Sequence, residues 1–425
     1  MTQLLDRARA VLENNWTDGT YTRAAKDSPG VQNSWVSAFS SMGNAHFAPD
    51  RSAHELRELF EQQWPNGLLP LFSRLGESPS SDPLFLDESG TGETGTLSLV
   101  GPPLQAVAAW HHYRVSKDKS AAAELLSELY PKLVSFHRYL YSRRDPAGEY
   151  LISIFHPWES GMASSPVWRE VLQLPVHSPM ATLSSGEIEE EAPPLHQSYR
   201  KLASELSQMQ FDEESMLAES SFLVQDPFFN AMLCWSNECL IHIGGLLKKD
   251  LVEVLEWHEN SLYSMNEKLW DEEQGLFSAW NMRTDEGLAA PVIGSLLPMA
   301  AEVPIQDQAE EMLNLIESVF PFEEESDRYM LPSALVDRKE GEPMPPWDGP
   351  VWIHANYLMY IGLHRFDMFD MAERLREETL QMVEQLGFFQ YADPRKDSPR
   401  SLGAGDYSVA AALVIDLLTG TSFAE

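Results

Sequence analysis

The chain has 425 residues, 43% of them hydrophobic, and its 65 acidic against 30 basic side chains give a formal net charge of −35. That length and apolar content suffice for a sizeable core, either in about two or three ordinary domains or in one large one. Such a charge repels phosphate backbones and anionic bilayers, which excludes nucleic acid and membrane surfaces as partners; it also occurs in proteins adapted to high salt. No linker-like break divides the chain, so residues 1–425 read as a single domain. The N-terminus lacks an apolar run of signal-peptide length, and no run of about eighteen apolar residues occurs, so a cytoplasmic protein is expected. The two cysteines, Cys234 and Cys239, are five apart in a predicted helix and point to different faces, which predicts buried thiols and no disulfide.

Leu4, Leu5, Ala8, Val11 and Leu12 recur at helical spacing, so residues 2–14 read as a first helix before the turn Asn15-Trp16-Thr17-Asp18-Gly19. Gln32-Asn-Ser-Trp-Val-Ser-Ala-Phe39 opens an apolar stretch to His46, in which Trp35 and Phe39 read most simply as a core-facing helix stripe. Residues 52–63 form an amphipathic helix, and the Pro/Asn/Gly cluster of Gln63-Trp-Pro-Asn-Gly-Leu-Leu-Pro70 must be a loop. Residues 76–96, rich in Ser, Gly, Pro and acids, predict a long surface excursion. Gly101-Pro102-Pro103 reads as the first turn of a helix running to about Arg114. A long amphipathic helix over about 120–142 ends at Asp145-Pro146-Ala147-Gly148.

Residues 184–194 read as a solvated acidic loop and 195–208 as a helix. Asp226 before Pro227 is a natural N-cap for a helix reaching Lys249. A helix over 251–269 leads to Leu269–Phe277, whose acids lack the D-x-D-x-D-G spacing of a calcium loop, so no metal is expected. Two short helices within 294–319, a loop rich in acids and Pro to about 346, helices over 357–365 and 368–386 and a last one to about Leu418 complete an all-α pattern.

One stretch breaks every period. His156-Pro-Trp-Glu-Ser-Gly-Met-Ala-Ser-Ser-Pro-Val-Trp168 packs two Trp, a Glu, three Ser and a Gly into a loop. Sugars stack on flat apolar faces such as Trp158 and Trp168 while carboxylates like Glu159 hold their hydroxyls, although both Trp could equally be core and Glu159 a cap. Two later loops are similarly dense, Pro346-Trp-Asp-Gly-Pro-Val-Trp-Ile-His-Ala-Asn-Tyr357 and Gly387-Phe-Phe-Gln-Tyr-Ala-Asp-Pro394.

These three loops resemble, in order, the W-E-S-G-M-D-N-S-P-x-W, Y-W-R-G-P-V-W-I-N-x-N-W and G-F-x-E-Y-F-D-P signatures of the mannosylglycerate and glucosylglycerate hydrolases in glycoside hydrolase family 63. Gln32–Phe39, Gln63–Pro70, Phe222–Asn230 and Ser401–Ala411 resemble further blocks of that family, so the likeness runs from Asn15 to Leu418. It implies the (α/α)6 barrel, a six-hairpin helical toroid shared with trehalases and glucoamylases, working without cofactor or metal. It also implies a sugar pocket formed by Trp35, Trp158, Glu159, Trp168, Trp347, Gly349, Trp352, Asn356 and Gln390.

The likeness fails at the reacting atoms. Ala163 stands where the resemblance places the general acid Asp, and Gln390 where it places the Glu that activates water. Val36, Gly101, Asp348 and Val409 replace a substrate-binding Asp, a Gln, an Arg and a pocket Trp, a set that natural divergence explains better than deliberate silencing. Inverting hydrolysis needs an acid and a carboxylate base roughly 6.5–9.5 Å apart, and neither Ala nor Gln can act as either. Two expectations follow. The chain is a degenerate glycosidase that binds a small carbohydrate, a neutral one because Asp348 in place of Arg repels a glycerate. Alternatively it is an active glycosidase on small α-glycosides with relocated carboxylates, foremost Glu159 and Asp348, then Asp393 and Asp406. No motif speaks to the oligomeric state.

Overall fold

The computed structural model describes residues 2–74, 96, 98–175, 194–319, 328–334 and 344–420, the single positions 18, 29, 289 and 398 excepted. The surface excursion expected at 76–96, the acidic loop at 184–194 and much of the loop before 346 lie largely outside these residues. What is described is mostly helical. In chain order the helices are α1 (Thr2–Asn15), α2 (Ser34–Ala45), α3 (Pro49–Glu61), α4 (Gln105–Val115), α5 (Lys119–Arg143), α6 (Pro194–Gln208), α7 (Glu213–Glu219), α8 (Pro227–Leu246), α9 (Val252–Ser264), α10 (Gln306–Val319), α11 (Ile353–Arg365), α12 (Phe369–Leu386) and α13 (Ser408–Thr419).

The helices sort into two kinds by their sequences. α2, α8, α11 and α13 carry apolar or small residues all round, and all twelve residues of α2 are buried. Helices of that composition are stable only when surrounded by protein. α1, α3 and α12 are two-faced: α1 buries Leu4, Ala8, Val11 and Leu12 along one stripe and exposes the opposite side. The first kind pack on one another in a closed round: α13 on α2, α2 on α4, α4 on α8, α8 on the turn Leu297–Ala301, that turn on α11, and α11 on α13. The second kind lie against them, α1 on α13, α3 on α2, α5 on α4 and α8, α9 on α8, and α12 on α11. One continuous apolar core runs through this arrangement from Leu4 to Leu417.

Short strands aim the loops. An antiparallel sheet in the order Glu286–Leu288, Ala279–Asn281, Val224–Gln225, Ser153–Ile154 delivers the chain straight into His156. Gln32–Asn33 pairs with Phe72–Ser73, and Phe389–Ala392 with Ser401–Gly405.

Several expectations need correction. α11 starts at Ile353, four residues earlier than its periodicity indicates, directly after the extended N-cap residue Trp352. The segment Gly101-Pro102-Pro103 precedes α4, whose N-cap is Leu104, so its prolines are not in the first turn. The helix expected over 251–269 divides into α9 and a wider π turn, Met265–Leu269. α7 has no counterpart in the sequence reading: seven residues between turns give too few periods to recognise. Asp226 caps α8 as expected, its carboxylate accepting from Phe229 N–H at 2.8 Å, and both cysteines are free and buried.

Candidate functional site

Residues at or just before the N-terminal ends of the buried helices converge on one cavity of about 290 Å³. Trp35 is the second residue of α2, held there by Asn33, whose side-chain oxygen accepts from Trp35 N–H at 2.9 Å and Val36 N–H at 3.2 Å. Trp352 is the N-cap residue of α11 and Tyr407 that of α13. Trp158, Trp347, Phe72, His354, Ala163 and Gln390 complete most of the wall. Trp347 stacks on Trp352 with centroids 4.2 Å apart and planes 7° from parallel. Trp347 holds this position at φ 63°, a left-handed backbone that costs a bulky residue on the order of 1–3 kcal/mol, a strain that clusters at binding sites.

The polar groups of the wall are few and neutral. The His354 ring sits edge-on to Trp347 and Trp352 at 5.2 Å and to Trp35 at 6.0 Å. Burial lowers its pKa to about 3, so the imidazole is uncharged at neutral pH. Neither His354 Nε2 nor Trp352 Nε1 has a hydrogen-bond partner among the described residues, although both are buried. Gln390 sits at a bulge between Phe389 and Tyr391, which turns its side chain toward the cavity. Gly403 makes room for it, since a Cβ there would lie 2.6 Å from Gln390 Oε1. That Oε1 accepts from Ala404 N–H at 3.1 Å, leaving the amide NH2 to donate. The Ala163 carbonyl accepts from the Tyr199 hydroxyl, and its methyl group offers no chemistry. No Asp, Glu, Lys or Arg is found among the described residues that line the cavity.

Of the pocket residues expected from sequence, Trp35, Trp158, Trp347, Trp352 and Gln390 line this cavity. Four do not. Trp168 is in the core and its indole N–H donates to the Met162 carbonyl at 2.9 Å. Asn356 faces α12, donating to Thr379 Oγ1 at 3.0 Å, and Gly349 N–H donates to Ser333 Oγ at 3.2 Å. Glu159 is wholly buried, facing Arg144 and the backbone N–H groups of Val100 and Phe155 in place of a sugar. Asp348 is buried beside Trp347 and does not line the wall. Asp393 lies between Arg395 and Arg400, each 2.7 Å from its Oδ2, which with further hydrogen bonds outweigh burial and lower its pKa to about 2. Asp406 belongs to a separate surface hollow beside Phe388 and Phe389.

Sequence reading missed Phe72 and Tyr407. Phe72 arrives by strand pairing with Asn33, a contact with no local signal, whereas Tyr407 could have been suspected as the residue before the last helix.

The fold is shared with neutral trehalase Nth1 from Saccharomyces cerevisiae, at TM-score 0.61 and 13% identity, over 94% of this chain and 73% of that one. Within the glycoside hydrolases, the chain belongs to the mannosylglycerate hydrolase MGH1-like family, whose glycoside hydrolase domain it matches over residues 29–409. It is 31% identical over 433 residues to a mannosylglycerate hydrolase of Rubrobacter radiotolerans, covering 98% of this chain and 96% of that one. The crystal structure of the GH63 mannosylglycerate hydrolase from Thermus thermophilus in complex with Tris and D-glycerate is also similar. Its TM-score is 0.85 at 30% identity, over 98% of this chain and 100% of that one. No helix among the described residues is long and apolar enough to cross a membrane.

Proposed function

We propose that this protein binds a small neutral sugar or glycoside in the aromatic cavity and does not hydrolyse it by the carboxylate pair of its family. The wall chemistry carries the proposal: Trp faces, two ring nitrogens without partners among the described residues, the amides of Asn33 and Gln390 and no carboxylate among the described lining residues. Sugar C–H faces stack on such rings, and buried nitrogens left without partners are relieved by ligand hydroxyls. An uncharged wall gives a glycerate carboxylate no cation to pair with, and a net charge of −35 opposes the approach of an anion. The fold reading that accompanies this is a single (α/α)6 toroid over residues 1–425, supported by the closed round of buried helices and the large core that runs through all of them.

The second reading, hydrolysis of a glycosylglycerate, is supported by the name of the relative that is 31% identical over nearly the whole chain. It requires an acid and a base from outside the described wall, since Ala163 and Gln390 supply neither and Glu159 is engaged by Arg144.

Calorimetric titration of the full chain with glucose and maltose, beside mannosylglycerate and glucosylglycerate, separates the two when run with a hydrolysis assay. The expected result is weak binding of a neutral sugar, about −4 to −6 kcal/mol, and no turnover above background. Turnover of either glycosylglycerate establishes the second reading. Absence of heat with every neutral sugar removes the first.

A further inference from the structure

We propose that His46, His111 and Asp416 form a binding site for one divalent transition-metal ion of the zinc type, at the end of the buried helices away from the cavity. α2 starts at the cavity with Trp35 and ends at its C-cap His46; α13 starts there with Tyr407 and carries Asp416 in its last turn. His111 comes from α4, so the three side chains belong to three neighbouring members of the round.

The geometry is that of one coordination sphere. His46 Nε2 lies 2.8 Å and His111 Nε2 3.3 Å from the same Oδ1 of Asp416. The three donor atoms fall within 4.8 Å of one another. Ligands at ~2.0–2.2 Å from a tetrahedral zinc stand ~3.3 Å apart, so convergence on one ion asks for shifts of about an ångström or less. Supporting contacts of the usual kind are in place. The Tyr357 hydroxyl donates to Asp416 Oδ2 at 2.8 Å, fixing the carboxylate so that Oδ1 is the single ligand atom, and Thr419 Oγ1 lies 3.5 Å from His46 Nδ1. The His46 side chain keeps 7% of its surface exposed, which gives an ion a way in. Two imidazoles and one carboxylate suit zinc and its neighbours, whereas calcium and magnesium prefer oxygen alone. The competing arrangement is two imidazole N–H groups sharing one carboxylate oxygen without an ion. An ion in this position would join α2, α4 and α13, a role in stability with no part in the cavity's chemistry.

The test is to strip the purified full chain with EDTA and titrate it with Zn2+, using Mg2+ as control and the visible absorption of bound Co2+ to report nitrogen ligation. One Zn2+ per chain, a raised thermal midpoint and no Mg2+ effect are expected. Removing a group that only orients a metal ligand weakens binding by ~10–100-fold, so Tyr357→Phe should fall in that range and His46→Gln or His111→Ala should reach at least ~100-fold. If a histidine variant fails to fold, the stripped natural chain still decides by its stoichiometry and Co2+ spectrum. Failure to take up stoichiometric Zn2+ overturns the proposal, as does Zn2+ affinity unchanged in both histidine variants.

Discussion

Both oxygens of Glu159 accept from protein groups, Oε1 from Val100 N–H at 3.0 Å and Arg144 Nη1 at 3.1 Å, Oε2 from Phe155 N–H at 2.6 Å. The two charges are fully buried, and Arg144 Cζ lies 4.4 Å above the Phe155 ring. Removing one charge of such a pair leaves the other uncompensated in a dry interior, at a cost of about 3–5 kcal/mol. Glu159→Gln keeps the shape, and guanidinium unfolding should show a loss of that size. A variant of undiminished stability that no longer bound sugar would return Glu159 to the pocket. The sequence reads Glu159 as part of a loop, whereas it sits in the short 3-10 helix Pro157–Ser160 and does not line the cavity. It could not name Arg144 as its partner, because fifteen residues separate them and it is the strand Ser153–Ile154 between them that brings the chain back to Arg144. Trp168 escapes sequence reading for a similar reason, since a Trp that stacks on sugar and one that fills a core have the same apolar face.

Among the helices, close approach is decided by small residues. A Cβ at Gly43 in α2 would lie 2.5 Å from Ala412 Cα and 2.7 Å from Ala412 Cβ on α13, both rigid. Alanine favours a helix over glycine by ~1 kcal/mol, but overpacking of this kind costs ~1–3 kcal/mol, and here backbone has to move. Gly43→Ala should therefore destabilise despite its better propensity. Gly245 in α8 has nothing within 4 Å of the same atom, so Gly245→Ala should instead stabilise by about 0.5–1 kcal/mol. Opposite shifts in denaturant midpoint would show the difference, and equal signs would mean that α2 and α13 are not in this contact. The type and order of the long helices were readable, because apolar stripes such as Leu4, Ala8, Val11 and Leu12 persist over several turns. Ends and short elements were not, as α7 and the start of α11 demonstrate. The short strands that aim Phe72 and Gln390 carry too few residues for any period to register.

For the molecule as a whole, a charge of −35 says little about where its stability is greatest, because the groups that titrate with folding are inside. Burial lowers His156 and His354 to about 3 and His111, His112 and His137 to about 4, against 6.5 for an ordinary imidazole. The unfolded chain therefore binds more protons than the native one below pH 6.5, so the contribution of these groups is complete above that value. It is lost as pH falls toward their folded values. Two carboxyls work in the opposite sense. Burial raises Glu55 from 4.5 to about 8 and Asp226 from 3.8 to about 7. Their native forms keep protons that the unfolded chain has released, a contribution complete below pH 3.8 and lost as pH rises through 7 and then 8. Of these seven groups, five pull one way and two the other. At about pH 5 the histidines outweigh the carboxyls, and near pH 7 the two slopes cancel. The thermal midpoint should accordingly fall steeply from pH 7 toward pH 5 and change far less between pH 7 and pH 8. A thermal series at constant ionic strength measures this directly. A midpoint flat from pH 5 to 7, or rising toward acid, would mean that these histidines are not buried as neutral imidazoles, and the uncharged character of the cavity wall at His354 would fall with it.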